Sequence, residues 1–155
     1  MEEGDTAMKE YPISQARPKL SPLLDQVEQG DVAVIERRGF KALVVRLDDE
    51  QELLARCYVF TPEVRMDPSG AAHIWLPELK LNAQGASLDE AEEDLVSAVL
   101  DYVEDWLGFL RKAPNHADRA GYVQRLRLAG DPEQVRELLF PAWRQPSDDA
   151  HAEAS

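Results

Sequence analysis

The feature that most restricts this chain is a stripe of apolar residues. Leu88, Ala91, Leu95, Ala98, Val99, Tyr102, Trp106 and Leu110 recur at the three-and-four spacing of one helix face for about six turns. Ser87-Leu88-Asp89-Glu90 has the serine and glutamate of a capping box, which places the helix start. The opposite face carries Asp89, Glu90, Glu92, Glu93, Asp94, Asp101, Glu104 and Asp105 with no base between them. Upstream, the runs Tyr58 to Met66 and Ala71 to Leu76 flank Asp67-Pro68-Ser69-Gly70, which has the aspartate, proline and glycine of a type I turn. A hairpin leading into a long helix places the chain in the α+β class.

The N-terminal third repeats the theme on a smaller scale. An extended start ends at Ile13-Ser14, and Leu20, Leu23, Leu24 and Val27 define a helix closed by Gly30. Ser21-Pro22 reads as its N-cap and first position. Val32 to Ile35 and Ala42 to Leu47 are strands rich in β-branched residues, joined by a turn at Glu36 to Phe40. Asp48-Asp49-Glu50 opens a short helix with Leu53 and Leu54 on its apolar side. Beyond the long helix, Pro114 to Arg144 reads as two more helices. One ends near Gly130 and one is capped by Asp131 with Pro132 first, with Trp143 among their apolar contacts. Residues 1–7 and 146–155 are expected to be disordered.

Charge is divided unevenly. The whole chain carries −13. Residues 8–47 hold seven bases and five acids, a net +2, whereas residues 48–155 are acidic by 12. The acidic part points to a basic protein partner or simply to solubility, and the charge balance of the first part leaves nucleic acid open there. No run approaches the roughly 18 apolar residues of a membrane span, and Glu2, Glu3 and Asp5 stand where a secretory signal would be basic. A cytoplasmic protein without membrane attachment is expected. Cys57, the single cysteine, lies in a stretch expected to open a buried strand, so packing is favoured over reactivity.

The ordered set Ile13-Ser14-Gln15-Ala16-Arg17, Leu23-Leu24 with Val27, Gly30, Val32 to Ile35, Arg37-Arg38-Gly39 and Ala42 to Leu47 resembles the Phd/YefM antitoxins. The resemblance implies an α/β homodimer whose basic residues meet operator DNA, here Arg17, Arg37, Arg38 and Lys41. Pro18 and Pro22 depart from it, falling inside the family's first helix, where proline disfavours helical angles in the residue before it. Residues 56–111 are similar to the HicB-like antitoxins, β-β-β-α domains related to a degraded RNase H fold. Leu76-Pro77-Glu78-Leu79 and Ser87-Leu88-Asp89-Glu90-Ala91 carry that likeness. The joint arrangement resembles Phd-like antitoxins paired with RelE-type toxins. It implies a DNA-binding and dimerisation domain over 8–55, a HicB-like domain over 56–111 and C-terminal helices over 112–145.

These resemblances imply a type II antitoxin that binds a basic, RNA-cleaving toxin, RelE-like or HicA-like, and represses its own operon. Glu93, Asp94, Asp101, Glu104 and Asp105 are the candidate toxin contacts, a solvated face being the plainer reading. The rival functions are an orphan DNA-binding regulator or adaptor and a metal-dependent hydrolase. Enzymatic chemistry, a cofactor and a metal are not expected. His73, His116 and His151 are scattered, and an RNase H-type site would draw acids from strands that offer only Glu63 and Asp67. No phosphate loop or nucleophile motif is present.

Overall fold

The computed structural model describes residues 9–141, which form an α+β protein of two compact units dividing between Leu53 and Leu54. The ends expected to be disordered, and Trp143, lie outside the described residues.

In the first unit, β1 (Lys9–Pro12) pairs parallel with β2 (Ala33–Arg37), and β2 pairs antiparallel with β3 (Phe40–Val44). A parallel pair needs a crossover, and two helices supply it: α1 (Ile13–Ala16) and α2 (Leu20–Glu28). The extended start therefore ends at Pro12, and Ile13-Ser14 is already helical. The prolines explain the split. Arg17, the C-terminal cap of α1, still has helical angles, but Pro18 has no N–H to continue the ladder, and the chain restarts at Leu20. Pro22 is then the third helical residue and Ser21 the second, not the cap. Proline is tolerated in the first turn because N–H groups there lack intrahelical acceptors. Gly30 closes α2 as expected: Gly30 N–H donates to Val27 O and Asp31 N–H to Gln26 O, the paired bonds of a Schellman ending.

The core of this unit is thin. Ala16, Leu23, Val27 and Ala33 are buried together, with Tyr11, Ile35 and Val44 against them. Leu20 and Leu24, expected inward, are about half exposed, as are Phe40 and Leu43 on the hairpin. The second strand ends at Val44, and Leu47 begins α3 (Leu47–Cys57), whose acidic first turn suits the helix dipole. Leu54 is buried and Leu53 exposed, so only one of the expected apolar pair turns inward. Cys57 is the exposed last residue of α3, not the start of a strand.

The second unit is an antiparallel meander of β4 (Glu63–Met66), β5 (Ala72–Leu76) and β6 (Leu81–Gly85), followed by α4 (Leu88–Gly108). The strand expected from Tyr58 begins only at Glu63. Asp67 organises the expected turn by accepting from Ser69 N–H at 2.9 Å and Ala71 N–H at 3.1 Å. The Ser69 hydroxyl bond, joined by these backbone donors, holds its carboxyl below the ordinary value. Ala72, Ile74 and Leu76 alternate inward on β5 and meet Ala91, Leu95, Val99, Tyr102 and Trp106 of α4. The capping box forms with a shift. Ser87 accepts from Glu90 N–H, while the Glu90 carboxylate accepts from Ala86 N–H, one residue before the cap.

After α4 the chain makes two 3₁₀ segments, Leu110–Lys112 and Pro114–Arg119, so Leu110 follows the long helix rather than ending it. Helices α5 (Ala120–Ala129) and α6 (Pro132–Leu139) come next. The Asp131 carboxylate caps α6 from 2.8 Å. Val123, Leu126, Val135, Leu139 and Phe140 join the same core as the sheet and α4. Gly121 permits a close approach: a Cβ there would occupy the ring of Tyr58, which also packs edge-on against Tyr122.

Candidate functional site

A groove of about 720 Å³ in the first unit is lined by Pro12, Ser14, Arg17, Arg37, Arg38 and Phe40 among others. Three of the four basic residues singled out from sequence meet there. Arg17 comes from the break between α1 and α2, while Arg37 and Arg38 come from the β2–β3 hairpin. The hairpin loop is the two residues Arg38 and Gly39, both in the left-handed region at φ 52° and 81°. Two positive φ values are the signature of a type I′ turn, which prefers asparagine before glycine; an arginine there is strained by about 1 kcal/mol. Glu36 latches the turn by accepting from Gly39 N–H at 2.6 Å. Its carboxylate also lines the groove, so three guanidiniums stand against one acid. Lys41 does not line the groove: its ammonium is 2.9 Å from the Glu10 carboxylate.

The acidic face of α4 is not free of bases, because Arg136 of α6 sits over its N-terminal half. The guanidinium lies 2.7 Å from Glu92, 3.0 Å from Asp89 and 3.9 Å from Glu93. Glu92, expected on the solvated face, is 4% exposed. Burial lowers the Arg136 pKa, and the Glu92 hydrogen bond with the charges of Glu92, Asp89 and Glu93 more than reverses it, leaving it above the ordinary value. Asp94, one of the five candidate contacts, accepts from Gln84 N–H at 3.0 Å and so ties α4 to β6. Glu93, Asp101, Glu104 and Asp105 are exposed. Asp105 lies in the last turn of α4, where the dipole disfavours an acid by about 0.3–1 kcal/mol. That placement does nothing for the helix itself.

Sequence reasoning missed a polar knot under α4. Arg119, 7% exposed, donates through one nitrogen to Leu79 O at 3.3 Å and Tyr102 Oη at 3.1 Å, and the same nitrogen lies 3.0 Å from His116 Nδ1. The Tyr102 hydroxyl is 2.8 Å from the same His116 nitrogen. His116 is thus drawn into a structural network, and its segment, Pro114–Arg119, has no periodicity that would have pointed to it. Glu78 accepts from Thr61 through its N–H at 2.8 Å and its hydroxyl, pinning the loop before β4 to the β5–β6 turn. Among the described residues, no three of His, Cys, Asp and Glu gather as metal ligands, and no helix is long and apolar enough to cross a membrane.

The described residues thus place a basic groove in the first unit and an acidic helix in the second. A PHD-like family model, described as the antitoxin of RelE/RelB toxin–antitoxin systems, matches residues 8–141. That match spans most of the chain, and the chain belongs to this antitoxin family, whose members are regulatory and not enzymatic. Its fold is similar to a crystal structure described as the antitoxin part of a toxin/antitoxin system from Syntrophomonas wolfei subsp. wolfei. The TM-score is 0.65 at 19% identity, covering 84% of this chain and 96% of that one. Comparison with curated proteins gave no match. Membership of the family implies a cognate toxin as partner.

Proposed function

We propose that the chain neutralises a basic, RNA-cleaving toxin of the RelE-like or HicA-like kind by direct binding, and represses its own operon as a cytoplasmic homodimer. In this reading residues 8–55 are a Phd/YefM-like operator-binding domain. Residues 56–111 are a HicB-like domain, followed by C-terminal helices over 112–145. The observation that carries the repressor half is the meeting of Arg17, Arg37 and Arg38 in one groove within residues 8–47, the segment whose bases outnumber its acids by two. Guanidiniums so arranged suit phosphate oxygens, and two-fold symmetry would repeat them on a palindromic site. A homodimer also suits the thin first core, since Leu20, Leu24, Phe40 and Leu43 are apolar and exposed. The order β4-β5-β6-α4 supports the HicB-like assignment.

The test is an electrophoretic shift titration on the DNA upstream of the gene at several salt concentrations. With Lys41 held by Glu10, three cations per protomer remain. A dimer neutralising about six phosphates gives a logarithmic salt slope of roughly −5. Arg37→Ala with Arg38→Ala should flatten it by about four units. A wild-type protein that leaves the DNA unshifted at low salt defeats the repressor half, as does a double variant that shifts it equally well.

A further inference from the structure

The sequence placed the toxin contacts at five acids spread along α4, and α6 gives one stretch of that helix a second wall. Glu93, Val96, Ser97 and Leu100 stand at i, i+3, i+4 and i+7 on α4, and the first turn of α6, Asp131 to Glu133 with Arg136, faces them across a groove of about 630 Å³. Val96 and Leu100 are its apolar α4 side, and Pro132 adds apolar surface opposite. Glu93, Asp131 and Glu133 stand around it. Arg136, its single cation, is matched at 2.7 Å by Glu92 and at 3.0 Å by Asp89, so the surroundings remain strongly negative.

We infer that this α4–α6 groove is where the toxin docks, and that the docking element is a short amphipathic helix of the toxin with lysine or arginine flanking its apolar residues. The inference rests on the antitoxin reading and deepens it. Charge complementarity fixes the occupant. A second copy of this chain could bring clustered cations only through Arg17, Arg37 and Arg38, which the operator reading commits to DNA, whereas a basic segment of the toxin neutralises the rim while its apolar residues cover Val96, Leu100 and Pro132. Length agrees: the seven helical rises from Glu93 to Leu100 run about 10 Å, the span of two helical turns. Glu93 is then the contact among the five acids named from sequence, joined by Glu133 and Asp131. Asp101, Glu104 and Asp105 act from outside the groove, by steering.

The experiment uses the full chain and, as probe, the basic protein encoded by the adjoining reading frame, recovered from the co-expressed complex and refolded. Three proteins are compared by calorimetric titration: wild type, Glu93→Lys with Glu133→Lys, and Asp101→Lys with Glu104→Lys. All four positions are exposed, and melting temperatures confirm that each variant is folded. Glu93→Gln with Glu133→Gln serves as a second, milder groove variant. The groove reversal should raise Kd at least tenfold, the glutamine pair by less, and the Asp101/Glu104 reversal by only a few-fold, mostly through the association rate. A folded groove reversal that binds like wild type overturns the groove and leaves the antitoxin reading standing, and an Asp101/Glu104 reversal that loses as much does the same. If the groove reversal changes the oligomeric state of the chain alone, a second copy occupies the groove and the inference fails. Wild type that binds no adjoining product defeats the antitoxin reading itself.

Discussion

Arg38 combines two incompatible demands. Its backbone occupies a left-handed position that a type I′ turn gives most cheaply to asparagine, yet its side chain lines the basic groove. Replacing it should separate them. Arg38→Asn is expected to stabilise the protein by about 0.5–1 kcal/mol in chemical denaturation, while flattening the operator salt slope by about two units. If stability and DNA binding fall together, Arg38 is a packing residue and the turn is not strained. That Arg38 stands at a hairpin tip was legible in the sequence, because adjacent arginines before a glycine between two β-branched runs mark such a turn. Its company was harder to see. Arg17 reaches the same groove only because the chain breaks at Pro18, a feature that reads on paper as an obstacle to the family geometry.

At the level of elements, helices announce themselves and their partners do not. The stripe from Leu88 to Trp106 is a local pattern, and the structure buries five of its residues, Ala91, Leu95, Val99, Tyr102 and Trp106. Glu92 sits on the polar side of that pattern and is buried because of an arginine 44 residues away, which no window of periodicity can contain. Strand limits shifted for a similar reason. A residue such as Val59 or Leu47 has strand propensity, but pairing depends on the neighbouring strand. The Arg136 clasp predicts an asymmetry. Arg136→Met should cost about 3 kcal/mol by removing the guanidinium that faces the buried Glu92 carboxylate. Glu92→Leu should cost less, because Asp89 and Glu93 still face the guanidinium. The double variant should recover most of the loss. Denaturation midpoints decide it: equal single losses that add in the double variant would show that the pair is not coupled.

For the molecule as a whole, two surfaces of opposite sign share one chain without cancelling. Charges separated by more than about 8 Å are largely screened at physiological salt, so the basic groove acts locally despite the overall −13. The two surfaces also differ in how they are drawn from the sequence. The basic groove is complete once the chain has reached the end of β3 at Val44, whereas the α4–α6 groove needs Arg136. The ribosome therefore finishes the first about ninety residues before the second, a delay of roughly 5–20 s at ordinary synthesis rates. Under the proposed function, a growing chain passes through an interval in which its operator-binding groove is complete and its toxin-binding groove is not. Chains arrested with residue 100 clear of the exit tunnel should retain promoter DNA and let the toxin pass, and capture of toxin at that stage would show that α6 is dispensable.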